Sequence, residues 1–312
     1  MDRLSIEQAA RRFEAAYAQL VRKTPLWKLP GASLGLGCAE VWLKLEHLQA
    51  GGSFKLRGML NRLLSQPIPK SGVIVASGGN AGIATALAAQ ALGVPCEVYL
   101  PSVSSQAKRD KLKSLGAQVQ VIEGPYTDAL QACLARQKAS GALLTHAYDQ
   151  PEVVTGAGTL ALEIEEQGGL PDAVLVSVGG GGLIAGVAAW FESRCRVVAL
   201  EPHLAPTLAH ARAAGQPVDV DVSGVAADSL GARRIGALAW DLTQRHVRES
   251  VLLEDAAITQ AQRWMWQNLR LAVEPSAALP LAALQTGAVA VRPQDRICLV
   301  ICGANLDPSS LS

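Results

Sequence analysis

The 312-residue sequence lacks the features of a membrane-spanning or secreted protein. No apolar run is both long enough and free enough of glycine to cross a bilayer. Residues 1–20 have the pattern of an amphipathic helix interrupted by charges such as Arg3, Glu7 and Arg11, which is not that of a signal peptide. We therefore expect a cytoplasmic protein.

An excess of charge of one sign is also lacking. The 28 Lys and Arg residues nearly balance the 27 Asp and Glu residues, which gives a net charge of +1. This balance provides no electrostatic argument for binding nucleic acid or an acidic membrane, so we expect neither as a partner. The sequence is 49% hydrophobic and 18% charged, which is typical of a globular protein with a large core.

The six cysteines are scattered and include no CxxC pair. Cys298 and Cys302 have no second pair and no histidine cluster near them, so a zinc site is not predicted. Without a secretory signal we expect reduced thiols rather than disulfides. Five of the cysteines are interpreted as small core hydrophobes. From spacing alone, Cys302 too is best explained as a buried filler at the end of a strand.

Apolar β runs alternate with helical patterns along most of the chain. Continuous apolar strands separated by helices indicate parallel sheets covered by helices on both faces. The pattern shifts at 147–151, which resembles a junction. We therefore predict an α/β fold of two open, twisted parallel-sheet domains with a ligand cleft between them. The large domain would comprise residues 1–48 plus 149–312, and a small domain of residues 49–148 would be inserted into it.

The individual elements are predicted from periodicity, apolar runs and turn residues. The predicted strands are 41–45, 72–76, 96–100, 118–122, 142–144, 173–178, 196–200 and 296–301. The predicted helices are 1–20, 56–64, 81–92, 105–115, 126–138, 152–167, 184–192, 230–246, 255–271 and 276–286.

The segment 51–58 contains a lysine in a glycine-flanked turn, directly after an aromatic ring. Most lysines are solvated surface charges, but the neighbours of Lys55 favour another interpretation. Glycines let the backbone approach a ligand closely, and the ring of Phe54 can pack near a flat heterocycle. Lysine is also the residue whose pKa moves readily on desolvation, as Schiff-base chemistry requires. We interpret Lys55 as an amine that carries a covalent aldehyde cofactor.

Three glycine-bearing loops, 77–80, 179–182 and 302–305, directly follow apolar strands. Ligands of open α/β sheets bind at the carboxyl ends of strands, so the three loops suggest one cleft. The amides of 179–182 can converge on a phosphate where the next helix begins. The loop matches neither GxGxxG nor GK[ST], which disfavours a dinucleotide and ATP. A tight turn without a ligand is the alternative.

Two further positions have both a binding and a structural interpretation. Asn80 offers an amide to a ligand oxygen, or it is a turn asparagine in the left-handed region. Glu201 marks either a cation site or an ordinary strand exit, and the exit is preferred on the residues alone.

Three motifs in this order resemble the signature of pyridoxal-phosphate enzymes of the tryptophan-synthase-β type, called fold type II. The motifs are 52–58 around Lys55, 77–82 around Asn80, and 179–183. The resemblance covers nearly the whole chain. Within the family the chain is most similar to the L-serine dehydratases, also called L-serine/L-threonine ammonia-lyases. The discriminating residues are Cys302, where many relatives carry serine, and Gly78.

The resemblance implies a role for each motif residue. Lys55 forms the internal Schiff base, Asn80 bonds the cofactor's phenolic oxygen, and Cys302 faces the pyridine nitrogen. Phe54 packs by the pyridine ring. The phosphate is held by Gly179, Gly180, Gly181, Gly182 and Leu183. The substrate carboxylate is gripped by Ser77, Gly78, Gly79, Asn80 and Ala81.

The resemblance also implies a cation site and an assembly. Glu201 and the carbonyl of Ala205 match a monovalent-cation site of the serine dehydratases. Relatives that use a divalent ion have aspartate where this chain has Thr207, so potassium is favoured. A homodimer is expected. Cys302 lies ten residues before Ser312, so we also expect no C-terminal regulatory domain and no inhibition by isoleucine.

The activity implied is β-elimination of L-serine, and by the same chemistry L-threonine, to pyruvate or 2-oxobutanoate plus ammonia. Serine racemases of the family have a serine at the position of Gly78 as the opposite-face acid/base, so racemase activity should be low. One alternative is another β-elimination or β-replacement enzyme of the same fold, such as a phenylserine dehydratase or a cysteine synthase. The other is a non-catalytic protein that binds a phosphorylated metabolite.

Overall fold

The computed structural model describes residues 1–307 and residue 311, and these form two β-sheets covered by helices. The strands are β1 Leu26–Pro30, β2 Glu40–Lys44, β3 Val73–Ala76, β4 Cys96–Pro101, β5 Gln118–Ile122, β6 Leu143–Leu144, β7 Ala173–Ser177, β8 Arg196–Pro202, β9 Glu249–Leu253 and β10 Arg296–Val300. The helices are α1 Arg3–Ala16, α2 Lys55–Leu64, α3 Asn80–Leu92, α4 Gln106–Ser114, α5 Tyr126–Ser140, α6 Pro151–Gly168, α7 Gly182–Phe191, α8 Thr207–Ala214, α9 Ala237–His246, α10 Asp255–Trp264 and α11 Pro275–Gln285.

The predicted α/β fold with parallel sheets is confirmed. The larger sheet has the order β1-β2-β10-β7-β8-β9, and the smaller has the order β5-β4-β3-β6. All neighbouring strands are parallel except β1, which runs antiparallel to β2. All strands of the smaller sheet lie between β2 and β7 in the sequence. The domain boundaries at 48/49 and 148/149 stay predictions.

The central strands form because their sequences are apolar on both faces. Every residue of β3 and of β7 is buried, and in a parallel sheet both faces are covered by helices. Each of these strands is followed by a loop that leads directly into a helix, α3 or α7. The carboxyl ends of the strands therefore carry the loops that the sequence analysis selected.

The prediction of one helix over 230–246 is wrong in its first half, because α9 begins only at Ala237. Gly236, the residue before it, is extended, with φ −64° and ψ 149°. The Asp149 carboxylate accepts hydrogen bonds from the backbone N–H groups of Ala237 and Leu238, both at 3.0 Å. The side chain that caps this helix is thus distant in sequence, and a local pattern could not show where the helix begins.

Several other boundaries differ from the predictions. Strands β1 and β9 and helix α8 were not predicted, and helix α1 ends at Ala16 rather than Leu20. The predicted helix 255–271 changes at Trp264 into a π-helical turn, Met265–Leu269. Arg270 then ends the helical segment in the left-handed region, with φ 57°.

The six cysteines are all buried and free, as predicted. No helix within the described residues is sufficiently long and apolar to span a bilayer.

Helix α2, which begins at Lys55, is packed tightly against α6. A Cβ atom at Gly156 would lie 2.3 Å from the carbonyl oxygen of Arg57, and one at Gly58 would lie 2.7 Å from that of Val153. These contacts are with backbone atoms, which cannot rotate away as a side chain can. The absence of a Cβ at both positions therefore sets the distance between the two helices.

We expect Gly156→Ala to lower the free energy of unfolding by about 1–3 kcal/mol, because the new methyl group forces α2 and α6 apart. The higher helix propensity of alanine offsets at most about 1 kcal/mol of this loss. The measurement is urea unfolding of the variant and the parent protein. Gly37→Ala is the control, because a Cβ atom at Gly37 would meet nothing within 4 Å. Equal stability of the two variants would contradict the packing argument.

Candidate active site

One pocket brings together the residues that the sequence analysis assigned to a cofactor. Lys55 and Phe54 lie at the start of α2, and Asn80 lies at the start of α3. The loop 179–183 comes from the end of β7, and Cys302 follows β10. The remaining lining residues, which the sequence analysis did not identify, are Tyr148, Ser177, Ser229, Leu230, Glu274 and Ser276.

The Lys55 amine is held by a backbone carbonyl group. Its Nζ donates a hydrogen bond to the carbonyl oxygen of Ala147, at 2.6 Å, and lies 5.1 Å from the centre of the Phe54 ring. Burial lowers the pKa of Lys55 to about 8, although Cys302 and Glu274 act in the opposite direction. The neutral, nucleophilic amine is therefore accessible near physiological pH.

The four glycines of 179–182 are packed against other parts of the chain. Gly181 has φ 86°, in the left-handed region. A Cβ atom at Gly180 would lie 2.3 Å from the ring of Tyr148, and one at Gly179 would lie 3.0 Å from the Cα of Leu230. Helix α7 begins at Gly182 without a side-chain cap. Its first amides and the helix dipole thus favour an anion at this end of the pocket.

Asn80 is hydrogen-bonded at both ends of its amide. Its Nδ2 donates to the two carboxylate oxygens of Glu274, at 2.9 and 3.1 Å, and its Oδ1 accepts from Nδ2 of Asn305, at 2.7 Å. Glu274 is buried, and burial raises its pKa. The sequence contained only a weak signal for Glu274, namely its position directly before a proline that starts a helix.

Cys302 is buried beside Ser276. Its Sγ lies 3.7 Å from Oγ of Ser276, which in turn donates to Oε2 of Glu274 at 3.2 Å. Burial, and next the Glu274 carboxylate, raise the pKa of Cys302 to about 12. The thiol is therefore protonated throughout the physiological range, which makes it a weak and neutral hydrogen-bond donor.

The predicted substrate loop lies at the start of α3, beside the pocket. Asn80 lines the pocket, whereas Ser77, Gly78, Gly79 and Ala81 are not among its described lining residues. A Cβ atom at Gly82 would lie 1.8 Å from the carbonyl oxygen of Ser77, so only glycine lets the loop fold onto the helix. The N-terminus of α3 has no side-chain cap, and its dipole favours a carboxylate.

Position 78 has room for a side chain. The nearest atoms to a Cβ at Gly78 would be Cβ of Leu100 and Oγ of Ser104, both at 3.5 Å, which is an ordinary van der Waals distance. Glycine at this position is therefore not required by the packing of the loop.

Glu201 lies near the end of β8, where its side chain is buried beside the start of α8. It is not among the described residues that line the pocket. Its carboxylate accepts from the backbone N–H groups of Leu208, at 2.6 Å, and Ala209, at 2.9 Å. Burial raises its pKa to about 7. The Thr207 hydroxyl lies 3.2 Å from this carboxylate and 2.6 Å from the carbonyl oxygen of Gly179, which connects Glu201 to the glycine loop.

A cation at this position stays a prediction. The carbonyl oxygen of Ala205, the second expected ligand, accepts from the N–H of Thr207 at 3.2 Å. Glu201 accepts hydrogen bonds from the first amides of α8, as described above. Within the described part of the chain, no group of three or more His, Cys, Asp or Glu side chains is arranged to hold a metal ion.

Comparison with known proteins identifies the family. The sequence model of the family described as pyridoxal-phosphate dependent enzymes matches residues 17–303, so the chain belongs to this family. The residues of the pocket fit the cofactor, because an amine of lowered pKa and an uncapped helix N-terminus face the same space. The solved threonine deaminase of T.th. has a TM-score of 0.90 to this chain at 32% identity, covering 98% of this chain and 99% of that one. The chain is therefore a fold-type II enzyme.

Named relatives within the family differ in their activities. An L-threonine ammonia-lyase of Thermotoga maritima is 34% identical, over 86% of this chain and 68% of the relative. A serine racemase of Arabidopsis thaliana is 33% identical, over 99% of this chain and 95% of the relative. A phenylserine dehydratase of Ralstonia pickettii is also 33% identical, over 96% and 92%. These similarities support an enzyme of the threonine dehydratase and serine racemase group.

The lowered pKa of Lys55 predicts the pH dependence of its reactivity in the cofactor-free protein. Only the neutral amine is nucleophilic, so acylation of Lys55 should rise with pH through about 8 and then level off. The measurement is brief labelling with an amine-reactive anhydride, followed by mass spectrometry of the Lys55 peptide. The exposed Lys70 in the same sample is the control for the reagent. A midpoint near 10.5, the ordinary value for lysine, would contradict the assignment.

Proposed function

We propose that this protein is a pyridoxal-phosphate dependent ammonia-lyase that converts L-serine and L-threonine to pyruvate or 2-oxobutanoate plus ammonia. The observation that carries the proposal is the Lys55 amine, with its lowered pKa, in one pocket with the glycine loop and the neutral Cys302 thiol. The L-threonine ammonia-lyase and threonine deaminase among the relatives support the reaction class.

Lys55 has two tasks in this proposal. Its amine would hold the aldehyde of pyridoxal phosphate, and the free amine would remove the α-proton of the substrate. The bound cofactor supplies an electron sink for the charge that develops at Cα. Burial lowers the pKa of the free amine to about 8, so about half of the amine is neutral near pH 8 and can accept a proton.

Two helix N-termini hold the anionic groups. The amides at the start of α7, in 179–183, bind the cofactor phosphate, and the start of α3, in 77–81, binds the substrate carboxylate. Asn80 donates a hydrogen bond to the phenolic oxygen, and Phe54 packs by the ring. These contacts orient the α-proton toward Lys55, which is how a positioned base accelerates proton removal.

Cys302 and Gly78 favour elimination over racemisation. A thiol with a pKa near 12 does not transfer its proton to a ring nitrogen, so the electron sink stays shallow and a long-lived carbanion is disfavoured. Racemisation also requires a proton donor on the face opposite Lys55. Glycine at position 78 cannot supply one.

A second candidate is dehydration of a bulkier β-hydroxy amino acid. The phenylserine dehydratase among the relatives favours this candidate. A β-replacement activity such as that of cysteine synthase is distinguished from dehydration by adding sulfide and measuring the formation of cysteine.

The homodimer, the cytoplasmic location and a bound potassium ion are part of the proposal as well.

We expect Lys55→Ala to lower the rate of pyruvate formation from L-serine at least about a hundredfold, because the variant has no base at Cα. Lys70→Ala, at an exposed lysine, is the matched control and should retain the parent rate. The assay compares L-serine, L-threonine and phenylserine at steady state. A Lys55→Ala protein that deaminates all three at the parent rate would refute the proposed function, as would a parent protein that turns over none of them.

We expect Gly78→Ser to gain racemisation of L-serine at least about tenfold over the parent, since the position accepts a side chain and the hydroxyl supplies a proton donor. Chiral chromatography of D-serine is the measurement, with pyruvate formation followed in the same reactions. Gly37→Ser is the control, because its site is open and distant in sequence from the pocket residues. If the parent protein already forms D-serine as fast as pyruvate, the argument from Gly78 is wrong.

A further inference from the structure

A network of hydrogen bonds connects Asn80 with Asn305 and Gly51. Oδ1 of Asn80 accepts from Nδ2 of Asn305, at 2.7 Å, and the same Nδ2 donates to the carbonyl oxygen of Gly51, at 2.8 Å. These hydrogen bonds thus connect the glycine turn before Lys55, the loop after β10 and the start of α3.

The orientation of the Asn305 amide follows from its partners. The carbonyl oxygen of Gly51 can only accept a hydrogen bond, so the group that faces it must be Nδ2. A flipped Asn305 amide, in which Oδ1 and Nδ2 exchange places, would set Oδ1 against this carbonyl oxygen and would remove the donor to Asn80. The backbone N–H of Asn305 also donates to Oε1 of Glu274, at 2.8 Å, which holds the loop in place.

The Asn80 amide is then oriented from both sides. Nδ2 of Asn305 requires an acceptor, which is Oδ1 of Asn80, and the Glu274 carboxylate requires a donor, which is Nδ2 of Asn80. A turned Asn80 would set nitrogen against nitrogen on one side and oxygen against carboxylate on the other. Neither contact is a hydrogen bond, and buried polar groups without partners are costly.

This orientation determines which atom of Asn80 is presented to a ligand. Glu274 lines the same pocket as Lys55, whereas Asn305 is not among the described lining residues. The amide nitrogen of Asn80 thus faces Glu274, which lines the pocket, and the amide oxygen faces Asn305, which is not among the lining residues.

We propose that Asn305 is a positioning residue that fixes the Asn80 amide so that an N–H group, and not the carbonyl oxygen, faces the phenolic oxygen of bound pyridoxal phosphate. The proposal rests on the proposed function, because it assumes the cofactor on Lys55. An N–H donor favours the ionised phenolic oxygen, whereas a carbonyl oxygen at the same place favours the protonated one. These two forms of a lysine-bound cofactor differ in colour, absorbing at the edge of the visible range and in the near ultraviolet.

The test is Asn305→Asp, which keeps the shape of the side chain but replaces Nδ2 by an oxygen. This oxygen would face the carbonyl of Gly51 and Oδ1 of Asn80, so Asn80 turns or loses its partner. We expect the ratio of the visible-edge band to the near-ultraviolet band of the cofactor-loaded protein to fall on the order of tenfold, since a hydrogen bond to a charged group is lost. The variant's affinity for pyridoxal phosphate, titrated by fluorescence, should fall as well.

Asn61→Asp is the matched control. Asn61 is a buried asparagine on α2 whose Nδ2 also donates to a backbone carbonyl, that of Glu152, at 2.8 Å. It does not line the pocket, so this substitution should alter stability without changing the ratio of the two bands. Thermal unfolding of both cofactor-free variants separates a general loss of stability from a local change at Asn80.

The proposal and the function on which it rests fail in different ways. If borohydride fixes no pyridoxal phosphate to Lys55 of the parent protein, the proposed function is wrong. If the cofactor is attached to the parent and to Asn305→Asp, and both give the same band ratio, the positioning role of Asn305 is wrong. Should Asn305→Asp not fold, Asn305→Ala removes the same donor without adding an oxygen. An unchanged ratio in Asn305→Ala would equally overturn the proposal.

Discussion

The structure depends on a largely buried cluster of four charged side chains, namely Arg57, Glu46, Glu163 and Lys44. Its guanidinium group donates to both oxygens of Glu46, at 2.7 and 2.8 Å, and to both oxygens of Glu163, at 2.6 and 2.9 Å. Glu163 is also 2.5 Å from Nζ of Lys44. Removing one partner of such a cluster leaves a buried charge unpaired, which costs about 3–5 kcal/mol. The cluster therefore joins β2, the start of α2 and α6 into one unit.

The same helix shows how pairing decides the charge of a buried cation. Burial acts to lower the pKa of Arg57, but the carboxylates of Glu46 and Glu163 raise it above its usual range. Lys55, two residues earlier, has a backbone carbonyl as its hydrogen-bond partner, and burial lowers its pKa to about 8. The paired cation stabilises the position of the helix, and the amine without a paired carboxylate is left free to react. Residues that are close in sequence thus have opposite electrostatic tasks.

Sequence patterns predicted the parts of the molecule that depend on local interactions. The buried strands, the glycine loops and most of the helices that follow the strands were predicted, because their signals lie within a few residues. The cap of α9 was missed because it comes from Asp149, and the role of Glu274 was missed because its partners are Asn80, Ser276 and Asn305. Helix α8 was missed because the carboxylate at its N-terminus belongs to Glu201, at the end of a preceding strand.

The glycine loop shows why a structural and a functional interpretation of one motif need not compete. All four glycines lie close to other parts of the chain: a Cβ atom at Gly181 would come within 2.5 Å of Ala239, and one at Gly182 would come within 2.9 Å of the carbonyl oxygen of Tyr148. Packing from Tyr148 and α9 on one side of the loop requires a bare backbone. A bare backbone at a helix N-terminus also leaves its amides exposed to an anion on the other side. The tight turn and the proposed phosphate site therefore require the same glycines, and the two interpretations of the motif are compatible.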